Sequence, residues 1–199
     1  MKKIIVIQLL LVVILFSCKK EDEDNLCQDF ELEQPSLIDD VEYEIINAFL
    51  EANFIDADFV HIDQETKSPV HIQFIEDKLT SENIHLDTLL LPDYVEKNQH
   101  AYFFSVDNFS LNTAQLINPL EIDCIFSVEL KGWENYYTKY PKSTGIYTFY
   151  RPGINAAGNQ AIVEYGWQAA YDTGMGYLLV LEKESNKWIV KHRLYTWAS

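Results

Sequence analysis

Two periods of hydrophobic repetition organise the chain. From Ser36 onward, Leu37, Val41, Ile45, Phe49 and Ala52 recur at helical spacing, and Ile38, Ile46 and Leu50 widen the stripe. With Ser36 and Asp39 as a weak capping box, this predicts an amphipathic helix over 37–53. The segments FVHIDQ (59–64), VHIQFIE (70–76), AYFFSVD (101–107) and EIDCIFSVEL (121–130) repeat at two residues instead and predict strands. In the last of these Ile122, Cys124, Phe126, Val128 and Leu130 share one face, opposite Glu121, Asp123, Ser127 and Glu129. A short helix starting near Pro92 is predicted within Thr88–Lys97.

Beyond Trp133 the pattern becomes a series of strands: GIYTFYR (145–151), AIVEYGWQAAY (161–171), GYLLVLEKE (176–184) and KWIVKHRLYTW (187–197). The turns between them are INAAGNQ, DTGMG and ESNK, short enough to join antiparallel neighbours. All seven glycines lie between Gly132 and Gly176, where they are assigned to turns that need positive φ. In the second strand Ala161, Val163, Tyr165, Trp167 and Ala169 face one way, with Gln160, Glu164 and Gln168 on the other. The predicted fold class is α+β: an amino-terminal amphipathic helix packed on a curled antiparallel sheet that ends in a strand meander, one domain over 35–199.

The first residues are of another kind. Met1-Lys2-Lys3 precedes Ile4–Phe16, thirteen residues in which Gln8 alone is polar. A spanning helix needs about 20 apolar residues and a signal-peptide core roughly 7–15, so the run reads as a signal sequence. It ends in Leu15-Phe16-Ser17-Cys18, which resembles the lipobox of bacterial lipoproteins. That resemblance implies cleavage after residue 17 and acylation of Cys18, including by palmitate, so that the chain meets the membrane through a lipid anchor. Lys19-Lys20-Glu21-Asp22-Glu23-Asp24 follows and opens an acidic tether over 18–34. A lysine and then acids beside the lipidated cysteine resembles surface-export signals of Gram-negative lipoproteins. The implied location is the outer membrane, exposed at the cell surface; if the acidic block is only a solvated spacer, it is the membrane's periplasmic face.

Without residues 1–17 the chain keeps 13 basic residues against 31 acidic ones, a formal charge of −18. Nucleic acid is therefore not an expected partner, since its recognition needs basic patches. Cys27 and Cys124 remain after Cys18. With Cys124 on an apolar strand face and Cys27 in a tether, two unpaired thiols are expected, although an oxidising compartment permits a disulfide.

Candidate chemistry is sparse. His61 and Asp63, and His85 and Asp87, have the spacing of paired ligands, but no established zinc motif is formed. His192 falls on the strand face of Trp188, Val190 and Leu194 and reads as a core histidine. No phosphate loop or dinucleotide fingerprint is present, so no metal and no cofactor are predicted. Trp133, Tyr136, Tyr137 and Tyr140 recur at helical spacing and would line one face. Exposed, they would contact a ligand such as a sugar ring; buried, they are core, which is the preferred reading.

The arrangement ending in LEKESNKWIV resembles cystatin-like and nuclear-transport-factor-2-like domains, over about residues 133–199. It also resembles the carboxy-terminal part of uncharacterised lipoproteins. These families include binding modules and enzymes alike. The leading expectation is a non-enzymatic binding module whose partner is an envelope protein or a glycan. The alternative is a small pocket enzyme of the nuclear-transport-factor-2-like type, which requires Asp63, His85 or His192 to converge in a cavity.

Overall fold

A computed structural model describes residues 27–54, 57–127 and 131–199. The signal run, Cys18, the lysine–acid block, Val128, Glu129 and Leu130 lie outside the described residues. Five helices and seven strands follow in the order α1 (Asp40–Phe54), β1 (Val60–Asp63), α2 (Ile72–Ser81), α3 (Leu90–Lys97), β2 (Ala114–Ile117), α4 (Pro119–Phe126), α5 (Gly132–Lys139), β3 (Ile146–Phe149), β4 (Gly153–Ile154), β5 (Gln160–Ala170), β6 (Thr173–Glu184) and β7 (Lys187–Ala198).

The α+β class is as expected. The sheet runs β2-β1-β3-β5-β6-β7, with β4 hydrogen-bonded to β5 alone. It is mixed: β1 pairs in parallel with β2 and β3, whereas β3, β5, β6 and β7 form the antiparallel meander.

Each face buries a different set of side chains. On the first, Ile45, Ile46, Phe49 and Leu50 of α1 pack on Val60, Ile62, Phe149, Val163, Tyr165, Leu179 and Leu181. The second face is covered in two places. At one end α2 and α3 set Ile75, Leu79, Leu90 and Tyr94 against Ile162, Leu178, Val180 and Leu194. At the other, Ile125 of α4 and Trp133 and Tyr136 of α5 pack on Ile117 and Ile146. Among the described residues, no helix lies over the strip of sheet between the two helical pairs.

Three predicted strands are not strands. Residues 70–76 mostly enter α2, because Ile75 and Leu79, four apart, fall on one helical stripe and are both buried. The 121–130 segment is α4 as far as Phe126. Asn118 caps it by accepting a hydrogen bond from the Leu120 N–H at 2.7 Å, and Pro119 fills the first turn, where its missing N–H is not needed. Glu121 and Ile125 are then buried one turn apart. Residues 101–105 make a single antiparallel bridge, Glu65 to Phe103, before Val106 and Asp107 enter a 3-10 turn over Val106–Asn108.

The cysteines are paired. Cys27 and Cys124 form a disulfide across 97 residues of sequence, with Cα atoms 6.0 Å apart. The unpaired expectation depended on Cys124 pointing from a strand face and on residues 27–34 moving freely, and both premises fail. Cys124 is on α4, and the segment after Cys27 is bonded to the domain: Gln64 accepts from the Glu33 N–H at 2.8 Å and returns a bond to the Glu33 carbonyl at 2.7 Å.

Candidate functional site

The uncovered strip is the floor of a groove with two connected lobes. Its floor is polar because β3 and β5 turn Thr148, Glu164 and Gln168 outward on the side opposite α1, with Gly166 between them. Beside α2 the larger lobe, about 840 Å³, is lined by Val70, Ile72, Phe74, Tyr150, Glu164 and Thr196, among others. Beside α4 and α5 the smaller one, about 330 Å³, meets Ile122, Phe126, Trp133, Trp167 and Tyr171. Both volumes fall in the range of roughly 300–1,000 Å³ typical of ligand pockets. Lys67, Thr148, Gly166 and Trp197 line both lobes and mark where they meet.

Trp197 is at the junction because of two sequence features. The first is a β-bulge: Tyr177 pairs with Tyr195 but Gly176 pairs with Trp197, leaving Thr196 as the extra residue. Strand alternation would send consecutive side chains to opposite faces; the bulge lets Thr196 and Trp197 both line the groove. The second is a bed of glycines. A Cβ on Gly176 would lie 2.0 Å from the Trp197 Nε1, one on Gly166 3.0 Å from Cζ2 and one on Gly174 3.0 Å from Cζ3. The indole thus rests on bare backbone from β5 and β6. Those glycines are needed for close approach and not for turns; positive φ among the glycines occurs at Gly145 and Gly158.

Charge in the groove is unevenly compensated. Asp63 is buried and paired with Lys67 at 2.6 Å. Among the described residues Glu164 has no such cation, and burial raises its carboxyl to about 7. The Thr196 hydroxyl is near enough to oppose that shift, yet it is buried without meeting hydrogen-bond geometry.

Of the candidates read from sequence, the aromatic set is the most informative. Trp133, Tyr136 and Tyr137 do lie along one helix, α5, and Tyr140 caps its C-terminus, with Trp133 and Tyr136 buried and the other two half-buried. The Tyr136 hydroxyl is held by His61 Nδ1 at 2.7 Å and by Ser143 at 2.5 Å. The Tyr137 hydroxyl donates to the Ala169 carbonyl at 2.9 Å, and that of Tyr140 donates to Glu121. The stripe is chiefly the cement between α5 and the sheet, and Trp133 is the member that reaches the groove. His61 is in the same cement, and burial lowers it to about 4, so it stays neutral at physiological pH.

The remaining histidines do not assemble with Asp63. His85 is exposed in the connection between α2 and α3. His192 is also exposed, and not on the face of Trp188 and Val190. A bulge at Lys191 pairs Val190 with Leu181 but His192 with Val180, which moves it to the opposite side. Asp63 on β1 and His192 on β7 are four strand spacings apart, roughly 19 Å. Among the described residues no group of three or more His, Cys, Asp or Glu is placed to hold a metal ion. Beyond Trp133 and Asp63, sequence reasoning missed the groove residues. Glu164 and Gln168 read as solvent-facing, and the signal that could have marked the site was three glycines inside strands, Gly166, Gly174 and Gly176, near a tryptophan. No family model, no curated protein and no solved structure matches the chain.

Proposed function

We propose that this protein is a ligand-binding module, held at the membrane by lipid on Cys18, whose ligand occupies the groove. The observation that carries the reading is the gathering of exposed aromatics there: Phe74, Tyr171 and Trp197 are 40, 48 and 38% exposed and line this single groove. Large apolar side chains left in water forgo about 25 cal/mol per Å² of burial, so their concentration around one concavity favours an occupant. The pocket-enzyme alternative gains no support from the residues that motivated it, because Asp63, His85 and His192 are spread over the fold.

The disulfide gives the tether a definite reach. From Cys18 to Cys27 there are nine residue steps, which span at most about 32 Å when extended. Cys27 is bonded to α4, and α4 supplies Ile122 and Phe126 to the smaller lobe. With lipid on Cys18, the groove would be held close to the bilayer surface, within reach of envelope components.

The test has two arms. Cells given labelled palmitate should incorporate it into the wild-type chain and not into Cys18→Ala. The unacylated Cys18→Ala chain should bind the neutral apolar dye Nile red at one site, followed by fluorescence. Adding Thr148→Trp, which fills the floor where the lobes meet, should weaken that binding at least tenfold while the melting temperature stays within a few degrees. Equal dye binding with and without the tryptophan would sink the groove as the site, and palmitate on Cys18→Ala would sink the anchor.

A further inference from the structure

We infer that the larger lobe is built for an organic ammonium group, received by Glu164 beside the rings of Tyr150 and Trp197. This rests on the groove being the binding site and adds the class of ligand.

The molecule's most buried acids and the half-buried Glu164 are treated differently. Glu42, Asp63 and Glu121 are all buried. Glu42 takes Arg151 at 2.7 Å, Asp63 takes Lys67 at 2.6 Å and Glu121 takes Lys139 at 2.6 Å. Each buried carboxylate therefore carries a cation, as the cost of an unpaired one requires. Glu164 makes no ion pair among the described residues, although it is far enough from water for its pKa to rise.

What faces Glu164 shows why no internal partner serves. Tyr94 from α3 and Tyr150, just after β3, have phenols raised first by burial and then by the nearby Glu164 charge, and Thr196 of β7 offers a hydroxyl. Lys67 and His71 also line the lobe, but Lys67 is engaged by Asp63, and Glu164 feels neither as a significant charge. The lobe therefore suits a single positive charge, received among Glu164, Tyr150 and Trp197, whose aromatic rings can attract cations. An ammonium on a short apolar stem fits: the head meets the carboxylate and the stem lies along Val70, Ile72 and Phe74. The formal charge of −18 would raise the local concentration of such a ligand before it docks.

Proton linkage gives the proposal a sign. With the lobe empty, Glu164 holds its proton up to about pH 7. An ammonium pairs with the ionised form, so its binding must release that proton and tighten as pH rises. The ionised fraction grows about tenfold between pH 6 and pH 8 for such a group, and affinity should follow. A neutral hydroxylated ligand taking a hydrogen bond from the protonated acid would show the reverse slope.

The experiment uses the full Cys18→Ala chain, titrated calorimetrically with butylammonium and with 1-butanol at pH 6, 7 and 8. Glucosamine against N-acetylglucosamine at pH 6 and 7, where its amine keeps most of its charge, and an N-acetylated lysine amide against its Nε-acetylated form, separate amino sugars from lysine side chains as the source of the group. Expected is binding of at least one amine, about tenfold tighter at pH 8 than at pH 6, absent for its neutral counterpart and lost in Glu164→Gln. The melting temperature of Glu164→Gln should match wild type at pH 5 and exceed it at pH 8, where the native carboxylate is ionised without a partner. An amine affinity that is flat or falls with pH, binding that survives Glu164→Gln, or no response to any amine at tens of millimolar overturns the inference. Loss of dye binding in Thr148→Trp alongside any of those results leaves the groove reading standing and removes the ammonium alone.

Discussion

Replacing Cys124 with serine is expected to lower stability by about 4–5 kcal/mol, with the same loss for Cys27→Ser and no further loss for the double variant. The figure follows from the loop that the bond closes. A crosslink across 97 residues removes conformational freedom from the unfolded chain, and the chain-entropy relation gives about 4.7 kcal/mol for a loop near 100 residues. The local consequence is as large as the global one. Cys27 is the point where the segment 27–34 is pinned to α4, a helix of eight residues that is too short to persist by its own propensity. Guanidinium unfolding of wild type with and without dithiothreitol, beside the serine variants, measures the effect. If reduction leaves the midpoint unchanged, the bond does not hold the native state together. If the double variant is much weaker than either single one, the cysteines act through separate packing contacts and not as a bridge.

The parts of this fold legible in the sequence are those in which local pattern and tertiary demand agree. β5, β6 and β7 alternate over eleven or twelve residues and are joined by turns of a few residues, so period, length and turn chemistry point the same way. The amino-terminal helix has a stripe wide enough to survive small errors in its ends. Errors arise where a short apolar run satisfies both periods. In residues 121–126 the alternation of Ile122, Cys124 and Phe126 is genuine, yet Asn118-Pro119 is a helix start, and in a run this short the start signal outweighs the period. Misreading that helix also misplaced Cys124 and with it the disulfide.

The groove was illegible for a different reason. Its floor is made by what β3 and β5 do not bury. Glu164 and Gln168 carry the same polar signature whether they face bulk water or a cleft walled by α2, α4 and α5, and only the positions of those walls tell the cases apart. The bulges in β7 are similarly silent. They reverse the side on which His192 lies and bring Thr196 and Trp197 to one face, but no residue in KHRLYTW announces an extra position in the ladder. A binding reading drawn from the tether and the aromatic content could name the kind of protein; the place of binding required the backbone.

Arg151→Met is expected to destabilise the protein by about 3–5 kcal/mol, in urea unfolding, through a carboxylate left alone in the core. Glu42 on α1 is fully buried and receives two bonds from the guanidinium, Nε to Oε2 at 2.9 Å and Nη2 to Oε1 at 2.7 Å. The same arginine lies over the Tyr102 ring at 4.2 Å. Its backbone N–H also donates to Asn98 Oδ1 at 2.7 Å, so the pair ties α1, the end of α3 and the strand exit after Phe149 together. Lys97 is 3.6 Å from Glu42 and offsets part of the loss, since it already salt-bridges Asp93 at 2.9 Å and cannot supply the bidentate geometry. The double variant Glu42→Leu, Arg151→Met removes both charges and should recover much of the deficit, with a coupling of about 2 kcal/mol or more between the two sites. Such recovery would mean that the ion pair serves less to stabilise than to fix where α1 sits on the sheet. That position matters for the groove. α1 backs Phe149 and Tyr165, and these alternate along β3 and β5 with Thr148, Glu164 and Gly166 of the groove floor, so a shift of α1 moves the floor with it. Additive losses with no recovery would instead show that each side chain contributes through its own packing, and the pair would then have no special part in holding the floor in place.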